Sequence, residues 1–187
     1  MQMVQMAAID KADTAWLLVS TVLVLLMTLP GIALFYAGLV RRKNVVNTVV
    51  AVFAVAAVVS LTWFALGYSL AFSKSTAWLG GLDRAWFSSM RLDAAAGTVS
   101  VSHLAPHLPE SLYALFQMVF AVITTTLIIG AVVERMRFSA LLLFSALWSV
   151  LVYAPVAHWV WESDGWLNKL GALDFAGGAV VHVNAGV

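Results

Sequence analysis

The chain has 187 residues, of which 63% are hydrophobic and 10% are charged, with a formal net charge of +1 and no cysteine. Soluble domains are roughly 45–50% apolar and about 25% charged, so this composition is typical of a protein surrounded by lipid. The small net charge gives no reason to expect a nucleic-acid partner. The absence of cysteine excludes disulfides, thiolate metal sites and cysteine nucleophiles.

Four apolar stretches are long enough to cross a bilayer, because a crossing helix needs about 20 apolar residues. They are Thr14–Val40, Asn44–Ser73, Ser111–Val133 and Phe138–Trp161. The stretches lack the alternation of transmembrane β-strands, so we predict an all-α integral membrane protein. Pro30 is expected to bend the first helix, because proline removes one hydrogen bond of the helical ladder.

A fifth apolar stretch, Phe175–Val187, contains only 13 residues. At 1.5 Å per residue such a helix covers about 20 Å, which is less than the hydrocarbon core. A chain terminus inside the bilayer would place a charge there, at a cost of several kcal/mol. We therefore expect the sequence to be a piece of a longer protein, cut within its fifth membrane helix.

Basic residues are concentrated in two short connections between the predicted helices. Residues 41–43 and 134–137 contain five of the ten basic side chains. Such connections lie on the cytoplasmic side of membrane proteins, so we expect the N-terminus outside, in an inner or plasma membrane crossed several times. The 37-residue loop 74–110 is then extracytoplasmic, with short helical pieces expected around Trp86–Met90.

His182 is an ionisable residue within the fifth apolar stretch. It follows Asp174 by eight residues, which places it about 12 Å into a helix that starts there. Ionisable groups at such depth indicate function, and an imidazole can handle protons; a structural hydrogen bond to a neighbouring helix is the alternative. Asp174 suits the N-cap of this helix, or it attracts cations at an outer vestibule.

Aromatic residues are the other candidates for a site. Trp161 ends the fourth stretch, where tryptophan is common as a membrane-interface residue and where its ring face can also attract a cation. Phe116 and Phe120 are one helical turn apart, a spacing typical of packing. Gln117 lies between them and needs a polar partner within lipid.

The remaining polar residues do not indicate catalysis. His103 and His107 have i,i+4 spacing, but Pro106 disfavours a helix through them and no third ligand is nearby. We therefore expect an exposed loop there without a metal, and His158 at the outer membrane interface. The sequence contains no nucleophile–base pair and no phosphate-binding loop, so neither an enzyme nor a bound cofactor is predicted.

Four long motifs resemble the ammonium transporter family, which comprises the Amt, MEP and Rh proteins. The resemblance runs in order from Asp13 to the end of the chain and is weak only in the 74–110 loop. The motifs are "LPGIALFYAGLVRRKNVVN" (29–47), "WFALGYSLAF" (63–72), "FQMVFAVITTTLIIGAVVERMRFSALLLF" (116–144) and "GALDFAGGAVVHVNAG" (171–186).

The resemblance implies an architecture that composition and periodicity do not supply. It implies about eleven membrane helices, arranged as two inverted halves around a central pore, of which this chain would be the first five. It also implies a homotrimer with the N-terminus outside, with a cytoplasmic regulator as a candidate partner. Inverted halves around a conduction path are a general transporter arrangement.

The resemblance also implies roles for five residues. His182 corresponds to the first of two pore histidines, and Asp174 to the aspartate that shapes the outer recruitment site. Trp161 corresponds to the tryptophan that faces the cation, Phe120 to one phenylalanine of a stacked gate, and Phe116 to its neighbour. Ammonium would lose its proton and cross as ammonia, while imidazoles accept or relay the proton.

Three functions stay open on the sequence. The first is an ammonium channel or transporter. The second is an ammonium sensor that has the same fold and a fused signalling domain. The third is a structural membrane subunit that merely resembles the family and predicts no transport.

Overall fold

The computed structural model describes residues 6–7 and 9–187. Four helices in the described part are long and apolar enough to cross a membrane, and we number them as spans. They are span 1 (Lys11–Leu39), span 2 (Arg42–Phe72), span 3 (Glu110–Val132) and span 4 (Phe138–Lys169). A further helical segment, the terminal helix, follows at Gly178–Val183 and Asn184–Gly186.

Spans 1, 2 and 4 each contain one π-helical segment. Span 1 consists of Lys11–Leu26, a π-helical segment Met27–Ile32 and Ala33–Leu39. The π-helical segment contains Pro30, whose missing N–H interrupts the α-helical ladder where the sequence predicts a bend. Span 2 consists of the 3₁₀ turn Arg42–Asn44, the α-helix Val45–Thr62, the π-helical segment Trp63–Gly67 and the α-helix Tyr68–Phe72. Span 4 consists of the α-helix Phe138–Trp148, the π-helical segment Ser149–Tyr153, the α-helix Ala154–Trp161 and the short helical turn Trp166–Lys169.

Span 3 is the central helix. Half of its apolar window is buried, against 11% for span 1. Gly130 permits close approach, because a Cβ atom there would lie 2.7 Å from the ring of Tyr36 in span 1. The hydroxyl of that tyrosine donates to the carbonyl oxygen of Leu127 at 2.9 Å.

The buried core between spans 2, 3 and 4 is aromatic. The ring of Trp63 lies about 6 Å from those of Tyr68, Phe72 and Tyr153. Its indole N–H donates to the carbonyl oxygen of Ala114 at 3.0 Å. The polar atom of this fully buried tryptophan is therefore satisfied, as burial requires.

The expected all-α class is wrong for the region between spans 2 and 3. The 3₁₀ turn Ala85–Phe87 lies near the expected helical piece, but an antiparallel sheet accompanies it. Strand β3 (Thr98–Ser102) pairs with β1 (Met6–Ala7), β2 (Leu92–Asp93) and β4 (Ala105–Pro109). Strands of two to five residues are too short to give a clear alternation in the sequence.

The two ends of the spans are distinct. The N-terminal strand β1 pairs with β3 of the 74–110 region, so both lie on one side, which we call the loop side. On the other side the two basic connections meet, because Glu134 accepts from the Asn44 amide at 2.6 Å and from Arg41 Nε at 3.2 Å. These hydrogen bonds hold the pKa of Glu134 below its usual 4.5.

Candidate functional site

An open pocket of about 360 Å³ lies on the loop side, where spans 3 and 4 meet the segment before the terminal helix. We call it the aromatic pocket. It is lined by Leu104, Tyr113, Phe116, Gln117, Phe120, Trp161, Asp174, Phe175 and Ala176. The structure therefore brings together four of the five predicted site residues, namely Phe116, Phe120, Trp161 and Asp174.

The aromatic side chains form a row of edge-to-face contacts. The ring of Phe120 lies 5.0 Å from that of Phe116 and 6.0 Å from that of Trp161. The interplanar angles are 82° and 74°, the arrangement that aromatic quadrupoles favour. The ring of Phe120 thus lies between that of Phe116 in span 3 and that of Trp161 in span 4.

Both carboxylate oxygens of Asp174 cap the terminal helix. Oδ1 accepts from the backbone N–H of Gly178 at 2.7 Å, and Oδ2 accepts from those of Ala179 at 3.1 Å and Val180 at 2.8 Å. Its backbone carbonyl oxygen accepts from the indole N–H of Trp161 at 3.0 Å. The predicted capping role is therefore present, and it accounts for most of the hydrogen bonds of this residue.

The terminal helix begins at Gly178 and not at Phe175 as predicted. The N-cap position belongs to Gly177, whose φ of 83° is left-handed and suits glycine. Asp174 reaches the helix from three residues further back, and Phe175 lies in the bend with 92% of its surface exposed. Apolar composition alone carries no information about this left-handed turn.

His182 is not among the residues that line the aromatic pocket. It lies four residues after the start of the terminal helix at Gly178, whereas the sequence predicted eight residues after a start at Asp174. Its side chain is exposed. Nδ1 lies 3.0 Å from the carbonyl oxygen of Gly177. With Nδ1 donating to that carbonyl, Nε2 of a neutral ring is left as a proton acceptor.

Sequence reasoning missed four residues of the pocket, namely Leu104, Tyr113, Phe175 and Ala176, and assigned no partner to Gln117. Leu104 reaches the pocket from the turn between β3 and β4, and Tyr113 from the first turns of span 3. The Tyr113 hydroxyl lies 3.3 Å from the side-chain nitrogen of Gln117, which donates to it. The side-chain oxygen of Gln117 is buried without a partner in the described part of the chain. Periodicity marks Leu104 and Tyr113 as ordinary apolar positions, so no sequence signal distinguishes them.

Two histidines have partners that the sequence did not indicate. His158, expected at the outer membrane interface near the end of span 4, is fully buried against the end of span 2, with Nδ1 2.9 Å from Ala71 O and Nε2 2.8 Å from Thr76 O. Carbonyl oxygens only accept, so both contacts are hydrogen bonds only when each nitrogen carries a proton. The expectation of an exposed loop is correct for His107, whose side chain is exposed, and wrong for His103, whose Nε2 lies 2.7 Å from Oε1 of the buried Glu162.

Other ionisable groups of the loop side are also paired. The guanidinium of Arg84 forms an ion pair with the buried carboxylate of Glu110, which also accepts from the hydroxyls of Tyr68 and Ser89. Over residues 6–7 and 9–187, no group of three or more His, Asp or Glu side chains is arranged to hold a metal ion.

Comparison with known proteins identifies the family of the chain. A family model described as "Ammonium Transporter Family" matches residues 15–187. The chain is 49% identical to the ammonium transporter of Bacillus subtilis over 178 residues, which is 95% of this chain and 42% of that protein. The chain thus spans about two fifths of the length of the curated relatives that it matches.

Solved structures have the same fold. Saccharomyces cerevisiae Mep2 superposes with a TM-score of 0.83 at 37% identity, over 96% of this chain and 40% of the yeast chain. A structure named "Sensor Amt Protein" has a TM-score of 0.78 at 28% identity, over 93% of this chain and 41% of that chain. With the family model covering almost all of the chain, the protein belongs to the ammonium transporter family.

Proposed function

We propose that the protein transports ammonium across a cell membrane and recruits it at the aromatic pocket. The observation that carries this proposal is the row Phe116–Phe120–Trp161, whose three side chains line the pocket. Such a wall can attract a cation through ring faces without binding it as tightly as a carboxylate would. Both oxygens of the Asp174 carboxylate are occupied by backbone N–H groups.

Recruitment must offset the loss of hydration. A small cation is strongly hydrated, and moving it bare into an apolar passage is costly. In this proposal the ring of Trp161 replaces part of the hydration shell at the pocket. Phe120 and Phe116 then form the barrier that disfavours the charged ion and admits neutral ammonia.

His182 is the proposed proton-handling group of the passage. With Nδ1 against Gly177 O, Nε2 is the nitrogen that can exchange a proton with the substrate. The exposed face that carries His182 would be covered by a further part of the transporter. That part would supply the opposite wall of the pore and the second pore histidine.

The assembly is part of the same proposal. Residues 1–187 would form the first five helices of about eleven, arranged as two inverted halves, and three such proteins would form a homotrimer. The loop side would face outward in an inner or plasma membrane, because the two basic connections lie together on the opposite side. A cytoplasmic regulator would then meet the side that contains Arg41 and Glu134.

A sensor is the second candidate, favoured by the likeness to the structure named "Sensor Amt Protein". The pocket would then bind ammonium as a signal, with little flux. In either case the site holds no nucleophile with an adjacent base, so the proposed activity is binding and passage without an enzymatic reaction. The third candidate, a structural subunit, predicts neither binding nor flux.

Uptake by the full-length protein tests these proposals. In a bacterial strain without ammonium transporters, it should restore growth at low ammonium and take up labelled methylammonium in a saturable manner that ammonium inhibits. Binding without uptake, by protein that has reached the membrane, would favour the sensor. Protein in the membrane with neither binding nor uptake would exclude both.

The half-pore proposal has a separate test. Residues 1–187 alone, reconstituted in liposomes, should give no ammonium flux above that of empty liposomes, because one wall of the pore would be missing. Robust and saturable flux through this piece would show that the proposed division of the pore is wrong.

A further inference from the structure

We propose that His103 is a positioning residue for the aromatic pocket. Its bond to Glu162 holds the hairpin formed by β3 and β4 against the end of span 4, and thereby keeps Leu104 in the pocket wall. This inference rests on the proposed function, because the pocket is taken as the place where ammonium is recruited.

The two partners lie beside pocket residues in the chain. His103 directly precedes Leu104, and Glu162 directly follows Trp161; both Leu104 and Trp161 line the pocket. The 2.7 Å contact between His103 Nε2 and Glu162 Oε1 therefore connects two walls of the pocket that are 57 residues apart in the chain. A bond at this point fixes the separation of Leu104 from the tryptophan ring.

The tip of the hairpin is a short turn that a single bond can orient. Residues 103 and 104 connect β3 to β4, where the register Ser102↔Ala105 is followed by an irregularity. The Oγ atom of Ser102 accepts from the backbone N–H of Leu104 at 3.3 Å. The base of the hairpin is fixed by pairing in the sheet and by its continuation into span 3, so the contact with Glu162 acts on the tip.

Glu162 is built into the end of span 4 and cannot follow a moving hairpin. Its side chain is fully buried, and Oε1 also accepts from the backbone N–H of Ser163 at 2.9 Å and from its hydroxyl at 2.8 Å. A buried carboxylate that loses its basic partner becomes strongly unfavourable. Loss of His103 therefore favours movement of the tip and entry of water at the pocket.

The test separates positioning from simple electrostatics by variants of the full-length protein. His103→Leu removes the donor, whereas His103→Gln keeps a side-chain N–H donor. Glu162→Gln removes the negative charge but keeps an oxygen acceptor. The double replacement His103→Leu with Glu162→Leu removes the bond without leaving a buried charge, a change that is often neutral or stabilising for folding.

We expect His103→Leu and the double variant to raise the KM of methylammonium uptake about fivefold. Vmax per protein in the membrane should stay within about twofold, because the change concerns recruitment. His103→Gln and Glu162→Gln should keep the parental KM. His107→Ala is the matched control, because this histidine lies on the same hairpin with an exposed side chain that does not line the pocket.

Each contrary result has a distinct meaning. A parental KM in the double variant would overturn the inference while uptake itself persists, so the proposed function would stand. A KM raised by Glu162→Gln as much as by the double variant would assign the effect to charge and would overturn positioning. Absence of uptake in the parental protein would instead contradict the proposed function.

Discussion

The indole N–H of Trp161 donates to the backbone carbonyl oxygen of Asp174 at 3.0 Å. The same aspartate uses its side chain to cap the terminal helix. One residue therefore fixes both the ring that borders the aromatic pocket and the helix that carries His182. Changes at Trp161 and Asp174 should consequently have different signatures.

Replacement of Trp161 should weaken recruitment. Cation–π attraction contributes about 0.5–2 kcal/mol, so Trp161→Leu should raise the KM of methylammonium uptake by about twofold to thirtyfold. Trp161→Phe keeps a ring but loses the N–H donor, and its KM should lie between those of the parent and the leucine variant.

The matched control is Trp159→Phe, because the Trp159 indole N–H donates to Trp78 O and its side chain does not line the pocket. A Trp161→Leu variant with parental KM would exclude a recruiting role for the ring.

Replacement of Asp174 should lower stability before it lowers affinity. Asp174→Ala leaves the N–H groups of Gly178, Ala179 and Val180 without their acceptors, at a cost of about 1–3 kcal/mol. Asp174→Asn keeps one oxygen acceptor and should cost less. The thermal unfolding midpoint in detergent measures this order; an alanine variant as stable as the parent would contradict the capping role.

Replacement of His182 should affect passage more than binding. In the full-length protein, His182→Ala should lower the uptake rate about tenfold or more, because an acid–base group is lost, or should change selectivity between ammonium and other cations. Methylammonium uptake and competition by potassium measure the two effects. Unchanged rate and selectivity would refute the proposed pore role.

Close packing at Gly130 predicts a stability difference between two glycines. Gly130→Ala places a Cβ atom 2.7 Å from the Tyr36 ring, and overpacking of this kind costs about 1–3 kcal/mol. Gly38→Ala in span 1 meets no atom within 4 Å and should be neutral or stabilising by up to about 1 kcal/mol. Equal unfolding midpoints for the two variants would contradict this close approach.

The contact of Glu134 with Asn44 and Arg41 predicts a pH dependence. Because the folded protein lowers the pKa of Glu134, the charged carboxylate stabilises the fold above its usual pKa of 4.5. This contribution is lost as the pH falls through the lowered folded-state value.

Parental protein should therefore unfold at a slightly higher temperature than Glu134→Gln near pH 6, with the difference shrinking below about pH 4. A difference that grows on acidification would have the wrong sign for this contact.

The number of membrane-length helices could be predicted from local composition. A backbone in hydrocarbon must satisfy its own hydrogen bonds, so a long apolar run indicates a helix whatever surrounds it. The change to π-helical winding at Pro30 is also a local effect, because the missing N–H of a proline affects only the neighbouring turn of its helix. The motif that contains Phe116 and Phe120 indicates the family through side-chain identity.

Contacts between distant segments could not be predicted in this way. The sheet depends on pairing of Met6–Ala7 with residues more than 90 positions later, and a strand of two residues is too short to indicate its partner. The burial of His158 depends on the carbonyl oxygens of Ala71, at the end of span 2, and of Thr76, which follows span 2 in the chain. Local propensity contains no information about such partners.

The sequence by itself determined that the apolar stretches are helical and that the chain is related to ammonium transporters. The family resemblance also identified Trp161, Phe120 and Asp174 as candidate site residues. Only the tertiary structure decided that these residues border one pocket, that Asp174 caps from three residues before Gly177, and that His103 reaches Glu162. The physical reason is that helix formation in lipid depends on neighbouring residues, whereas a pocket depends on where separate helices and strands meet.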